Sequence, residues 1–148
     1  MPHWPRCAPD SEEGPVTSRL NPYISFPGNA RQALEFYHQV FGGNLNMNSY
    51  GDFGMEDAGV ADKIMHGQLE TRSGFTLMAA DAPPGSEHRA GNNMSVSLSG
   101  DDAQELRGYW DQLSSSGTVS VPLERQMWGD EFGSCEDQFG VTWMVNIS

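Results

Sequence analysis

Apolar and polar positions alternate over residues 21–26, with Ile24 flanked by Tyr23 and Ser25, and this period of two predicts a strand. Pro27-Gly28-Asn29 reads as a turn, with Asn29 as the expected N-cap of a helix. The period then lengthens. Ala30, Ala33, Leu34, Tyr37 and Phe41 fall on one side of a helix, and Gly42-Gly43 ends it with residues that tolerate left-handed backbone. Residues 44–50 predict a second strand, and 63–71 with 75–82 a hairpin turning through Arg72-Ser73-Gly74. The intervening stretch, 51–62, is rich in glycine and acid and reads as a loop.

The second half repeats the first. Residues 82–92, with two prolines, two glycines and no apolar period, form a connector. Residues 93–99 send Met94, Val96 and Leu98 to one face, and Gly100-Asp101-Asp102 supplies a turn and a cap. Ala103, Leu106, Tyr109, Trp110 and Leu113 make the stripe of a second helix, which Ser114-Ser115-Ser116-Gly117 ends. Strands are expected at 118–121, 132–136 and 141–147, the last two joined by Asp137-Gln138-Phe139-Gly140. Superposing Ile24 on Val96 and Phe26 on Leu98 gives a repeat of about 72 residues. Neither strand–helix–strands unit can bury a sheet face alone. Paired, their helices can cover one face while the other curves round a cavity.

A chain of 148 residues makes one domain, or two small repeats sharing a core. Residues 1–19 are Pro-rich and without period, and are expected to be a disordered tail; the domain takes up 20–148, with modules at about 20–83 and 92–148. Eight Lys and Arg stand against 20 Asp and Glu, a net charge of −12, and Lys63 is the single lysine. With no basic stripe to release counterions, nucleic acid is excluded as a partner. No apolar run approaches the roughly 18 residues of a membrane span, and the N-terminus lacks the apolar core of a secretory signal, so a cytoplasmic protein without a membrane partner is expected. Cys7 and Cys135 lie far apart in a tail and a strand, which fits free thiols in a reduced compartment.

Motifs with a known chemistry are few. There is no nucleophile elbow, phosphate-binding Walker loop or zinc-binding Cys pair. Asp52, Glu56, Asp57 and Asp62 lack the alternate-position spacing of a calcium loop, and their segment is either a flap or a plain surface loop. Strand alternation puts Ile64, His66, Gln68 and Glu70 on one face, so His66 is either a metal- or proton-handling group or a hydrogen-bonded residue lining a pocket. His3, His38 and His88 are expected in solvent, and Cys135, with no cation nearby, is expected to be inert.

Several segments together resemble one superfamily. They are Asn21-Pro22-Tyr23-Ile24-Ser25-Phe26 with Gly28-Asn29-Ala30, Ala33-Leu34-Glu35-Phe36-Tyr37, and Val40-Phe41-Gly42-Gly43. Lys63-Ile64-Met65-His66, Asp81-Ala82-Pro83-Pro84-Gly85, Trp128-Gly129-Asp130 with Phe132-Gly133, and Asp137 with Phe139-Gly140-Val141 and Trp143-Met144 extend the set. Over residues 20–148 the chain resembles PhnB-like, glyoxalase/bleomycin-resistance-type proteins of the vicinal-oxygen-chelate superfamily. The resemblance implies an α+β fold of two βαβββ modules forming a cupped, β-rich, pseudo-symmetric sheet, and a homodimer with pockets inside the cup. Some PhnB-like sequences carry a name describing ubiquinone-precursor methyl transfer; the glycine-rich loop that such a cofactor needs is not in this chain.

Metal-dependent members of the superfamily place His, Gln or Glu at four inward strand positions. By resemblance these fall near Pro22, Met78, Asn93-Met94 and Met144, which is not a competent set for a hard or borderline ion. The expectation is therefore no metal and no cofactor, and a small-molecule ligand held by Tyr50, His66, Met78, Asp81, Trp128, Asp130 and Trp143 in an aromatic and methionine-rich cavity. For most of the methionines a place in the core is the competing expectation, and Trp128-Gly129-Asp130 is either a gripping rim or a structural turn. The alternative function is a lyase, isomerase or dioxygenase-like enzyme using His66, Asp81 or Asp130 as acid–base groups.

Overall fold

Short alternating segments and two amphipathic helices build the chain, in a computed structural model that describes residues 18–57, 59–83 and 85–148. The expected tail, with His3, Trp4 and Cys7, falls outside them except for its last two positions. The first unit runs β1 (Tyr23–Phe26), α1 (Ala30–Phe41), β2 (Asn44–Ser49), β3 (Ile64–Glu70) and β4 (Thr76–Asp81). The second runs β5 (Val96–Gly100), α2 (Ala103–Ser114), β6 (Thr118–Arg125), β7 (Glu131–Glu136) and β8 (Thr142–Ile147). Each unit closes a four-stranded sheet, ordered β1-β4-β3-β2 and β5-β8-β7-β6, in which only β1–β4 and β5–β8 run parallel. The fold is α+β, with two βαβββ modules. Its strands make two four-stranded sheets, and among the described residues no strand of one is hydrogen-bonded to the other.

The helical stripes seat as their spacing requires. Ala30, Ala33, Leu34, Tyr37, Val40 and Phe41 are buried on α1, and Leu106, Tyr109, Trp110 and Leu113 on α2. They join the inward side chains of both sheets, among them Phe26, Leu69, Leu77, Leu98, Trp143 and Val145, in one cluster. Each large apolar side chain fully buried there stabilises the fold by about 1.5–3 kcal/mol. Close approach of helix to sheet needs a glycine in each module. A Cβ on Gly67 would lie 2.3 Å from Leu34 Cδ1, and one on Gly133 2.8 Å from Trp110 Cη2.

These two glycines also fix the internal equivalence. Gly67 pairs with Ala79, which pairs with Ile24; Gly133 pairs with Val145, which pairs with Leu98. The counterpart of Ile24 is thus Leu98, 74 residues on, and not Val96. Alternation could not see this difference, because a slip of two residues returns every side chain to the same face. Another revision concerns β6, which continues past Val121 to Arg125. Pro122 is accommodated because β6 is an edge strand whose register shifts on both sides of Val121.

The expected cap on α1 is also corrected. Asn29 stands at the N-cap position without a side-chain cap bond. The helix start is held instead from the end of β4, where buried Asp81 accepts from Ala30 N at 2.9 Å and from Ile64 N at 2.8 Å. In the second module the cap is local, with Asp102 accepting from Glu105 N at 3.1 Å. The modules meet where each helix touches the other's hairpin turn. Buried Asp137 accepts from Tyr37 Oη (2.5 Å), Trp143 Nε1 (2.8 Å), Phe139 N (2.8 Å) and Val141 N (3.1 Å). At the other meeting point Tyr109 Oη lies 2.9 Å from Ser73 Oγ, which donates to Glu105 at 2.8 Å.

Candidate functional site

With the inner faces spent on the core, any ligand surface on the sheets must lie on the outer ones. On the first sheet, strand pairing lines up Tyr23, Met78, Gln68 and Asn46 across β1, β4, β3 and β2, and sets Asn48 opposite His66. Tyr23 Oη lies 3.3 Å from His66 Nδ1, with the rings 5.8 Å apart, and Gln68 donates to Glu70 at 3.0 Å. The face is an amide, phenol and imidazole surface around one thioether.

The second sheet carries a matching face of different chemistry. Ser97, Met144, Ser134 and Val121 line up across β5, β8, β7 and β6, and the next row holds Ser99, Asn146, Phe132 and Glu124. Asn146 donates to Asp130 at 3.0 Å, and Trp128 tilts against Phe132 with the rings 6.4 Å apart. Measured from the paired glycines, Met78 corresponds to Met144 and His66 to Phe132. Tyr23, beside Met78, and Trp128, against Phe132 in the row next to Met144, remain 52% and 61% exposed.

The structure brings His66 and Met78 onto the first face, and Trp128 and Asp130 beside the second. Tyr50, Asp81 and Trp143 go elsewhere: all three are buried, and their place in the expected pocket is corrected. Tyr50 donates to the Asp81 carbonyl at 3.2 Å, both Asp81 carboxylate oxygens are taken by backbone N–H groups, and Trp143 is bonded to Asp137 inside the core. An acid–base role for Asp81 goes with them. Tyr23, Gln68, Asn46 and Asn146 were missed as site residues. The signal for Tyr23 was present, since an inward Ile24 and Phe26 leave Tyr23 and Ser25 outward. His38 and His88 are half-buried rather than solvated, bonded to the carbonyls of Gly43 and Ser25, each at 2.9 Å.

Fit to a divalent ion can be judged from the donors. The residues beside Met78 and Met144 on the parallel neighbours are Tyr23 and Ser97, while Pro22 and Met94 lie outside β1 and β5. Two thioethers, a phenol and a hydroxyl, with one imidazole on one face and a phenyl ring at its counterpart, do not make the N and O set such an ion needs. Among the described residues no three His, Cys, Asp or Glu converge. Cys135 is buried, and its thiol is pushed up to about 11, first by burial and then by the charge of Asp137, so it is no nucleophile at neutral pH. Among the described residues no helix is long and apolar enough to cross a membrane.

Comparison with known proteins agrees with this architecture. The family model described as Glyoxalase/Bleomycin resistance protein/Dioxygenase superfamily matches residues 19–145. Protein YjdN of Escherichia coli K12 is 28% identical over 142 residues, covering 86% of this chain and 94% of that protein. The crystal structure of PA1353 from Pseudomonas aeruginosa superposes with a TM-score of 0.79 at 39% identity, over 89% of this chain and 98% of that one. The PhnB protein from Bacillus cereus superposes with a TM-score of 0.72 at 19% identity, over 88% and 100%. That likeness concerns the fold.

Proposed function

This chain belongs to the glyoxalase/bleomycin resistance protein/dioxygenase superfamily, and on that footing we propose that it binds a small organic molecule, without a metal ion, between the outer sheet faces of two copies of the chain. The observation that carries this reading is the equivalence of Met78 and Met144 on two outer faces, each of which has an exposed aromatic ring, Tyr23 on the first and Trp128 beside the second. Thioethers adapt their shape to a guest, and Tyr23, Trp128 and Phe132 offer ring faces to a planar or cationic one. A net charge of −12 favours the cationic guest at long range. Each chain has one face of each kind, so a two-fold pairing of unlike faces makes two identical sites with no face left over. A reducing, cytoplasmic setting suits the free Cys135 thiol.

The test is a thermal-shift screen of planar and cationic metabolites, run beside light scattering and elemental analysis. A dimer whose melting temperature rises with particular compounds supports the reading. A monomer, or a stoichiometric divalent ion whose removal abolishes binding, overturns it.

One contact supports a second reading as an enzyme of the lyase, isomerase or dioxygenase-like kind. Tyr23 Oη against His66 Nδ1 pairs a proton donor with an acceptor on an accessible face. Turnover of a 2-oxoaldehyde–thiol adduct or a catechol, lost in His66→Ala, is its test. Asp130, held by Asn146, is the acidic group left to such a mechanism.

A further inference from the structure

The two places where a helix meets the other module's hairpin turn are equivalent in backbone and opposite in filling. Both turns have the same pattern: Gly74 N bonds to Thr71 O and Gly140 N to Asp137 O, each at 3.0 Å. Tyr37 and Tyr109 are both buried and reach these turns with their hydroxyls. Where α1 meets the second turn, Phe36 packs against Phe139 with ring centroids 5.7 Å apart, and the junction is closed. Counted from the tyrosines and the turns, the corresponding residues at the other junction are Gly108 and Ser73.

Neither can fill the space. A cleft of about 370 Å³ opens there, walled by Val40 and Phe41 of α1 and by Arg72, Glu105, Gly108 and Tyr109. A Cβ built on Gly108 meets nothing within 4 Å, so the glycine faces open space and not a crowded neighbour. Mid-helix glycine is unfavourable relative to alanine, and no close approach at Gly108 explains it. The volume is at the small end of ligand pockets.

The walls define what fits. Among the described residues, the Arg72 guanidinium makes no ion pair and donates no hydrogen bond, and its planar fork suits a carboxylate. Glu105 and Asp102 add negative charge on the α2 side, which disfavours a simple anion and suits an ammonium beside that carboxylate. The emptied place corresponds to the phenyl ring of Phe36, against the apolar wall of Val40 and Phe41. We propose that this cleft is a second ligand site, on the helix side of the molecule and away from the outer sheet faces, for a small zwitterion of the aromatic α-amino-acid class. Its carboxylate lies on Arg72, its ammonium toward Glu105 and its ring over Gly108.

The experiment is an amide NMR titration of the full chain with L-phenylalanine, 3-phenylpropionate and phenethylamine. L-Phenylalanine is expected to saturate with a Kd of about 1 mM, the affinity a dozen-atom ligand can reach. Shifts should centre on Arg72, Ser73, Gly108 and Tyr109. The two single-charge probes are expected to bind about tenfold or more weakly, as is L-phenylalanine to Arg72→Ala, an exposed position whose loss leaves the core intact. Gly108→Phe, which restores the plug found at the closed junction, should abolish the shifts while the spectrum stays folded. Absence of saturable L-phenylalanine shifts in the wild type, equal affinity for the three probes, or undiminished binding by Arg72→Ala overturns the proposal. The sheet-face reading is unaffected by any of these results.

Discussion

Tyr37 and Asp137, 100 residues apart, share a 2.5 Å hydrogen bond in the buried seam between the modules. The phenol comes from the first module's helix and the carboxylate from the second module's turn, where three other donors also converge. A carboxylate is tolerated at 3% exposure because every side of it is met. Tyr37→Phe keeps the ring and removes one donor. It is expected to cost about 1.5–3 kcal/mol, the range for a hydrogen bond to a charged group, read as a lower urea midpoint with an unchanged slope. A loss below about 0.5 kcal/mol would mean that the bond does not hold the modules together.

Alkaline stability follows from the same seam. Burial first, and then the charge of Asp137, raise the Tyr37 hydroxyl above its ordinary value, and burial pushes Cys135 from 9.0 up to about 11. In the unfolded chain these groups release protons at ordinary pH values while the folded chain retains them. The unfolded state then binds fewer protons, so stability falls as pH rises. The Cys135 part is expected between about pH 9 and about pH 11, and the Tyr37 part above about pH 10. Urea unfolding at stepped pH measures both, and Tyr37→Phe should flatten the upper limb.

Asp81 and Asn29 provide a paired control on how α1 begins. Asp81→Ala leaves Ala30 N and Ile64 N without their acceptor in a buried place and is expected to cost about 2–4 kcal/mol. Asn29→Ala removes a side chain that makes no cap bond and whose buried Oδ1 has no partner among the described residues, and it is expected to cost less than about 0.5 kcal/mol or to stabilise. Chemical denaturation of both variants decides; equal losses would return the cap to Asn29.

Gly117 opens the way into β6. A Cβ there would stand 2.0 Å from the Glu136 carbonyl oxygen, backbone that cannot turn aside. Gly117→Ala is expected to destabilise by about 3 kcal/mol or more, or to prevent folding. Gly54→Ala, where a Cβ meets nothing within 4 Å but φ is +96°, should cost only about 1 kcal/mol. Melting temperatures rank the two.

Met78→Arg tests the sheet-face site without disturbing the core, because its side chain points outward beside Tyr23 and Gln68. It is expected to abolish ligand-induced thermal shifts while moving the unliganded melting temperature by only a few degrees. Trp128→Ala should weaken the same ligands by about tenfold, the worth of one ring contact.

The helices were legible almost to the residue, because Ala30–Phe41 and Ala103–Ser114 pair a 3.6 period with glycine or serine-glycine stops. Strand faces were legible for Val96 and Leu98, but not along β3. There an irregularity opposite Asn48 and Ser49 turns Ile64 into the core while His66 and Gln68 face outward, so Ile64 does not share the face expected for it. Register was not legible, and the error in matching Ile24 to Val96 is of that kind: only the pairing of β4 with β1, across from Gly67, settles which residues correspond. The misplaced site residues share one cause. Tyr50, Asp81 and Trp143 are polar or amphipathic groups satisfied inside the fold, the first by the Asp81 carbonyl, the second by Ala30 and Ile64, and the third by Asp137 across its own hairpin turn, and no local period foretells such partners. The cleft at Gly108 was hidden for a related reason, since its shape depends on comparing two junctions that exist only in the folded chain.

The different anchoring of the two helix starts also governs how each comes undone. The first amide of α1 is tied to a carboxylate at the far end of a sheet strand, so releasing it means releasing β4 as well. α2 is tied to its own neighbour three residues away, and the bond from Ser73 to Glu105 of its opening turn is exposed, so that turn can unravel with the rest intact. Protons on the leading turn of α1 should therefore exchange with solvent only through whole-molecule openings, and those of α2 through brief local fraying.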